Sequence, residues 1–452
     1  MIKQKRLKQV NVRKTLKNFY INNKYNRRKR SRSEKLFIIE GSLTNAAIVL
    51  NSGIFLSGYI IFLGGSDFLT GLLNNSLAWA SMAAIASALL FERMKQRKKL
   101  IITFFVLSRL LVCSIIFLPL FFKIDERMLI IIAVMIIVGN MLWSFFDNGR
   151  VVWMMNTVPK NIRKEFIYTR MFWLRIAFTL TTIVMGFVLD AFNKSYEGFF
   201  IVFITSIVLY VINLVVLIKI EEPECYVNNS GSIKLSQIME PWGNRKFREY
   251  LLFVILFYFG LNISISFSPL YLIRYMEFDY KFISAITVLC NIFMILSTKF
   301  WSRIEWKKDA RYVLKIGGLF MAAETLIYAF LTKKTYFLLF LAAAVSGIGN
   351  GGFNVALLNH RYDLIPEQNK SIYEAWFGAF YGFGTIIGPI TGGYLLDSLP
   401  IINKGILQHS NFQILYLMSF ASVVIIIFSF FGIKDKVKDL NSNNIDKIAE
   451  AK

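Results

Sequence analysis

Runs of about twenty apolar residues, separated by short polar segments, recur along nearly the whole of this chain. An α-helix of that length, rising about 1.5 Å per residue, crosses a hydrocarbon core about 30 Å thick. In lipid, only helices and closed barrels satisfy their own backbone hydrogen bonds, and barrel strands would be shorter and alternating. The expected fold is therefore all-α, a polytopic membrane protein. Composition agrees: of 452 residues 56% are hydrophobic and 16% aromatic, too apolar for a soluble chain of two or three average domains.

Twelve transmembrane helices are expected, near 37–63, 69–91, 100–122, 128–155, 165–190, 199–220, 249–273, 279–302, 311–331, 336–360, 371–395 and 412–433. The segments ERMKQRKK (92–99), GRVVWMMNTVPKNIRK (149–164) and SRIEWKKDARYVLK (302–315) are rich in Lys and Arg, whereas the alternate loops are poorer. With twelve spans the basic loops share a side with the N-terminal tail. The positive-inside rule then places both termini in the cytoplasm of a plasma-membrane protein. The first 35 residues carry 14 Lys or Arg and one acid, Glu34, with no apolar core for a secretory signal. This tail reads as a basic arm on anionic lipid, rather than a nucleic-acid arm. The organisation expected is a basic cytoplasmic tail (1–36), a six-helix bundle (37–220), a cytoplasmic linker (221–248), a second six-helix bundle (249–433) and a C-terminal tail (434–452).

The chain repeats its punctuation. Pro159, Gly186, Leu189 and Asp190 recur as Pro366, Gly393, Leu396 and Asp397, all 207 positions later. Asp147 lands on Asn354 at the same offset. That offset carries the fifth span onto the eleventh, so the second half reads as a parallel copy of the first. Two six-span halves related by an axis along the membrane normal form a transporter architecture, with the solute between them near the midplane.

These features resemble the major facilitator superfamily over residues 36–435. FERMKQRKK resembles the basic motif after that family's second span. Glu92 stands where the family has Asp, Arg93 matches, and Arg97 and Lys98 supply the basic end. Ala88 replaces the first glycine, the second glycine is missing, and the loop is one residue longer. In the second half, FWSRIEWKK keeps Arg303 as its clearest remnant. The patterns at 158–170 and 365–373 resemble a widespread bacterial branch of the superfamily, to which no substrate attaches. The resemblance implies that spans one, four, seven and ten line a central cavity.

Charged groups inside a membrane are costly, so each is a candidate. Arg109 and Asp147 fall at matching depths and could pair as a gate with Glu92, Arg93 and Arg303. Arg170 could snorkel to the interface, whereas Arg175 lies deeper and suits an anionic substrate or a buried acid. Glu324, at mid-span, is the proton-coupling candidate, with a structural role as the alternative. Glu374 begins the eleventh span near the interface. Asp190 and Asp397, at span ends, read as interfacial anchors. Polar faces add Asn45, Asn51, Ser52 and Tyr59 on span one; Asn140 and Trp143 on span four; Tyr258, Asn262 and Ser266 on span seven; Asn350 and Asn354 on span ten. Of these, Asn51, Asn140, Trp143, Asn262, Asn350 and Asn354 join Arg175 as substrate-cavity candidates, though interhelical bonding explains any single Asn equally well.

Cys113, Cys225 and Cys290 are scattered and share no metal-ligand spacing with His360 and His409. No nucleotide-binding motif appears, and no cofactor or metal is expected. The functional expectation is a monomeric, non-enzymatic secondary transporter that moves a small solute by alternating access, coupled to protons, with efflux and uptake both open. The alternative is a sensor or an intramembrane enzyme on the same scaffold.

Overall fold

The computed structural model describes residues 31–92, 97–159, 163–222, 235–366, 370–402 and 409–450. The basic tail up to residue 30 and Arg93 lie outside them, as does the side chain of Glu92. Among the described residues every regular element is helical. The long helices are α1 (Arg32–Phe62), α2 (67–92), α3 (Lys98–Phe121), α4 (Glu126–Thr157), α5 (Arg163–Ala191) and α6 (Tyr196–Lys219). After a short helix, Leu235–Gly243, come α7 (Arg245–Tyr275), α8 (Tyr280–Lys307), α9 (Ala310–Ala329), α10 (Leu338–Leu364), α11 (Lys370–Ser398) and α12 (Ser410–Glu450).

Ten of these are long and apolar enough to cross a membrane; α2 and α11 are the exceptions. Their sequences explain why. The second helix is interrupted after Asn74 and again by a 3₁₀ turn at Ala80–Ala83. The eleventh carries GTIIGPITGG, in which small residues replace bulky apolar ones. The outer surface of the bundle is apolar: Leu110, Phe187, Val211, Leu296 and Ile425 are each more than half exposed.

Two of the long helices bend for identifiable reasons. In α1 the backbone tightens to 3₁₀ at Val49–Asn51, goes extended at Ser52 and resumes at Gly53, whose φ of +55° favours a residue without Cβ. In α7, Pro269 removes a backbone donor, and the following turn, Tyr271–Tyr275, widens to π geometry.

The helices pack in a recurring scheme. Within the first six, α1 lies against α5 and α6, α3 against α4 and α6, and α2 against α4. Within the last six, α7 lies against α11 and α12, α9 against α10 and α12, and α8 against α10. Four seams join the two sets: α5 with α8, α2 with α11, α1 with α7, and α2 with α7.

The repeated glycines sit in two of these seams. A methyl group at Gly186 would overlap Ser284 Oγ of α8, and one at Gly393 would overlap the Phe68 ring of α2. Small residues at both sites let the paired helices approach closely. The repeated leucines, Leu189 and Leu396, are buried beside them.

Candidate functional site

The face where α1 begins is called here the N-terminal face, and the opposite one the far face. On the far face the two sets of helices are tied together. Asp67, at the start of α2, forms an ion pair with Arg274 and accepts a hydrogen bond from the Tyr275 hydroxyl. Arg274 also donates to the Gly65 carbonyl (2.8 Å). Lys194, just past α5, pairs with Asp279 (3.0 Å), the residue before α8. That bond from Lys194 holds the Asp279 carboxyl below the usual carboxylate range. One layer deeper, Asn74 donates to the Ser266 carbonyl (2.9 Å) and Asn75 to the side chains of Asn262 (2.5 Å) and Ser266 (2.8 Å). The Phe55 and Tyr280 rings stack below (6.4 Å).

Beneath this seal lies a cavity of about 770 Å³. Its wall draws on both helix sets, including Ser52 at the α1 break, Asn75 of α2, Thr182 of α5, Ser268 of α7, Thr287 of α8 and Tyr381 of α11. From the level of Asn74 and Asn75 it reaches Asp147, Asn148 and Arg150, toward the C-terminal end of α4 and the N-terminal face. Its size, and a wall that mixes apolar and aromatic side chains with many amides and hydroxyls, suit a small polar organic molecule.

Of the cavity candidates from the sequence, Trp143 lines the wall; of the charged candidates, Asp147 and Glu324 do. Asn45 and Ser52 line it as well. Of the other polar candidates, Asn51, Asn140 and Asn262 bond to neighbouring helices, whereas Asn350 and Asn354 bond within their own. Asn51 is buried behind the wall and accepts from the Ser206 hydroxyl and the Cys113 thiol. Asn140 donates to Ser76 Oγ (2.8 Å). Asn262 takes the bond from Asn75 in the seal. Asn350 donates to the Ser346 carbonyl (3.0 Å), and exposed Asn354 donates to the Asn350 carbonyl (3.1 Å), as polar groups within a helix do when no neighbour is in reach. Arg303 is exposed on α8.

Arg109 and Asp147 do not pair. Arg109 is buried among the hydroxyls of Ser108 (2.8 Å) and Tyr210 (3.1 Å), and its guanidinium lies 4.1 Å from the centre of the Trp143 ring. Aromatic faces and hydroxyls stand in for a counter-ion there. Asp147 instead pairs with Arg150 one turn along α4. Arg150 (3.3 Å) and Arg170 (3.2 Å) converge on Glu40, a fully buried acid of α1 that also accepts from Thr44 (3.0 Å). Arg170 therefore points inward to a partner and does not snorkel. This four-residue cluster balances two cations with two carboxylates. Glu40 and Arg150 were legible as charges inside apolar runs, but lie close enough to the span ends to pass for interfacial residues.

Arg175 sits in the α5–α8 seam and donates to Asn291 Oδ1 (3.1 Å). Glu374 pairs with Arg361 (3.1 Å), which covers the Phe377 ring at 3.7 Å. Asp190 is no simple anchor: it accepts backbone hydrogen bonds from the first turn of α8. Glu324 faces the cavity beside Tyr328. Among the described residues no cation stands within ion-pair distance of it.

Comparison with known proteins places this geometry in context. The family model described as Major Facilitator Superfamily matches residues 308–450. The tetracycline resistance protein, class H, of Pasteurella multocida is 31% identical over 121 residues, covering 26% of this chain and 29% of that protein. The match thus spans less than a third of that relative's length. Among solved structures, the D323A mutant of the nucleoside transporter NupG superposes with a TM-score of 0.68 at 15% identity, covering 89% of this chain and 99% of the other. A bacterial homologue of the iron transporter ferroportin scores 0.67 in its inward-facing state, at 14% identity with 89% and 99% covered. In its outward-facing state it scores 0.58, at 16% identity with 90% and 100% covered. All three structures are similar in fold alone.

Proposed function

We propose that the chain is a member of the Major Facilitator Superfamily, a twelve-span secondary transporter moving a small solute by alternating access. The observation that carries this reading is the cavity. It lies between the two helix sets, sealed on the far face by Asp67–Arg274 and Lys194–Asp279, and reaches toward the N-terminal face. Breaking those ties and closing the opposite end would expose the same cavity to the other side.

The repeated packing supports two six-helix halves that rock about the α5–α8 and α2–α11 seams. Counting α2 and α11 as spans completes the dozen: both are flanked by helices apolar enough to cross the membrane, and both line the seams where small residues matter more than bulk. The N-terminal face is then cytoplasmic by its basic loops, and the state seen is inward-facing. The better fit to the inward-facing ferroportin homologue supports that assignment. The membrane is the plasma membrane, and the transporter acts as a monomer.

Glu324 is the residue proposed to couple transport to protons. A carboxylate at the cavity wall without a cationic partner can take and release a proton as access alternates. Full-length protein in proteoliposomes tests the reading. Solute flux driven by an imposed pH gradient should collapse with a protonophore and be lost in E324Q. Flux indifferent to the pH gradient sinks the coupling, and no flux for any solute of a broad panel sinks the transporter assignment.

A further inference from the structure

Many cations at the N-terminal face have partners within the protein. Lys98 donates to the carbonyls of Ile218 (2.8 Å) and Ile220 (2.7 Å), Arg245 pairs with Glu249 (3.3 Å), and Arg361 with Glu374 (3.1 Å). The junction of α8 and α9 is different. There EWKKDARYVLK (305–315) sets Lys307, Lys308, Arg311 and Lys315 against two acids. Both acids are occupied: Glu305 accepts from the Asn359 amide (2.8 Å), and Asp309 accepts from the backbone N–H of Tyr312 (2.8 Å), capping α9. Among the described residues no carboxylate stands within ion-pair distance of Lys307, Lys308 or Arg311.

The helix period gathers these charges on one side. Arg311 and Lys315 are one turn apart on α9, with Tyr312 beside them, while Val313 and Leu314 turn inward and are buried. Arg311 and Tyr312 are exposed. Lys308, in the turn before α9, brings its Nζ to 5.9 Å from the centre of the Tyr312 ring. Lys315, one turn deeper and half-buried, extends its Nζ over the Phe428 ring of α12 (5.8 Å). Phe428 and, one turn further from this face, Ile425 are at least half exposed on the outside of the bundle. The surface thus passes from cations through aromatic rings to aliphatic carbon within a few helical turns.

That gradient matches the order of groups in a phospholipid. Cations at a membrane surface attract anionic headgroups, and the pull adds over neighbouring side chains. A tyrosine at the same level has a ring for the apolar side and a hydroxyl for the wet one, and a lysine stem can lie along apolar surface while its charge reaches the headgroups. A soluble polyanion would have no use for the apolar floor, and a zwitterionic lipid none for three gathered cations. We infer that the outer surface of α9 and α12 at the N-terminal face binds an anionic phospholipid, its phosphate among Lys308, Arg311 and Lys315 and an acyl chain along Phe428 and Ile425. Both helices belong to the second set, so the lipid braces that set without tying it to the first. The inference needs only that the N-terminal face meets a lipid surface, and it stands or falls apart from solute flux.

The probe is phosphatidylglycerol with a photoactivatable group beside its phosphate, in phosphatidylcholine bilayers around the full-length protein. Illumination should label the peptide holding residues 308–316. Unlabelled phosphatidylglycerol should displace that label, whereas added phosphatidylcholine and soluble glycerol 3-phosphate should not. K308Q/R311Q/K315Q should cut labelling there at least about tenfold. K308R/R311K/K315R, which keeps the charges, should retain it and guards against loss through misfolding. K3Q/K5Q/R6Q, which removes as much charge from the basic tail, should leave it unchanged. Undiminished labelling in the glutamine variant at 308, 311 and 315, an equal loss in the tail variant, or equal displacement by phosphatidylcholine overturns the inference. Displacement by glycerol 3-phosphate would make the stripe a site for soluble phosphate and overturn it too, as would a wild-type protein left unlabelled at 308–316.

Discussion

Asp190, at the far end of α5, accepts hydrogen bonds from the backbone N–H groups of Tyr280 (3.0 Å) and Lys281 (2.7 Å), the first turn of α8. A side chain from one half thus caps a helix of the other, where free N–H groups and the helix dipole favour a carboxylate. The bond exists only while the far face is closed, so it favours the state seen.

Removing that cap should loosen the seal. D190A is expected to cost about 1 kcal/mol of far-face closure, roughly a fivefold population shift by the usual worth of a cap. Alkylation of a cysteine placed at Phe55, buried beneath the seal, should quicken accordingly. Asp397, its counterpart in the repeat, is exposed and among the described residues caps no helix, so D397A should leave that rate unchanged.

The buried cluster around Glu40 makes a second prediction. Its carboxylate, fully buried, receives two arginines. Replacing it with Gln leaves both cations short of charge, and breaking a buried pair in this way costs about 3–5 kcal/mol. E40Q should therefore lower the thermal midpoint of the purified protein well below that of R303Q, whose parent side chain is exposed on α8.

The seam glycines make a third. Gly186 and Gly393 have no room for a side chain. G186V and G393V should each force their seam apart, cutting flux by at least about tenfold while far-face labelling rises, since overpacking a close helix crossing costs about 1–3 kcal/mol.

A fourth concerns pH. The Asp279 carboxyl is held below its ordinary range by Lys194. A depressed acid gives its stabilisation above its unfolded pKa and loses it only as the pH falls through its lower folded value. Its contact with Lys194 should thus stay intact from about pH 5 to 8. D279N should leave the shape of the flux–pH profile unchanged over that range, whereas E324Q should flatten it.

Much of this molecule could be read from its sequence, for a physical reason: lipid demands long apolar helices, and such runs are visible without a structure. The repeat of Pro159, Gly186 and Asp190 207 residues on was also visible, and the glycines prove to be the places where paired helices touch. Side-chain direction was not visible. Asn51 and Asn140 share helices with the cavity wall but turn away from it, because a helix in a bundle has several polar neighbours and its sequence does not say which one an amide will choose. Arg109 was misread for the same reason: matching depth suggested Asp147, while rotation about α3 delivers it to Tyr210 and Trp143. Glu324 illustrates the converse. It lies on α9, which is not among the four spans expected to line the cavity, yet it reaches the cavity.

The central claim is that the two halves exchange the open side of one cavity. Pulsed electron-electron resonance on full-length protein in lipid tests it most directly, with one spin-label pair at Ser66 and Lys333 on the far face and another at Lys99 and Arg303 on the N-terminal face. Each pair joins the two halves. As solute and pH are varied, the account predicts two populations in each pair with opposite changes, the far-face distance lengthening as the N-terminal one shortens. A single unchanging distance in both pairs, or distances that lengthen together, would contradict it.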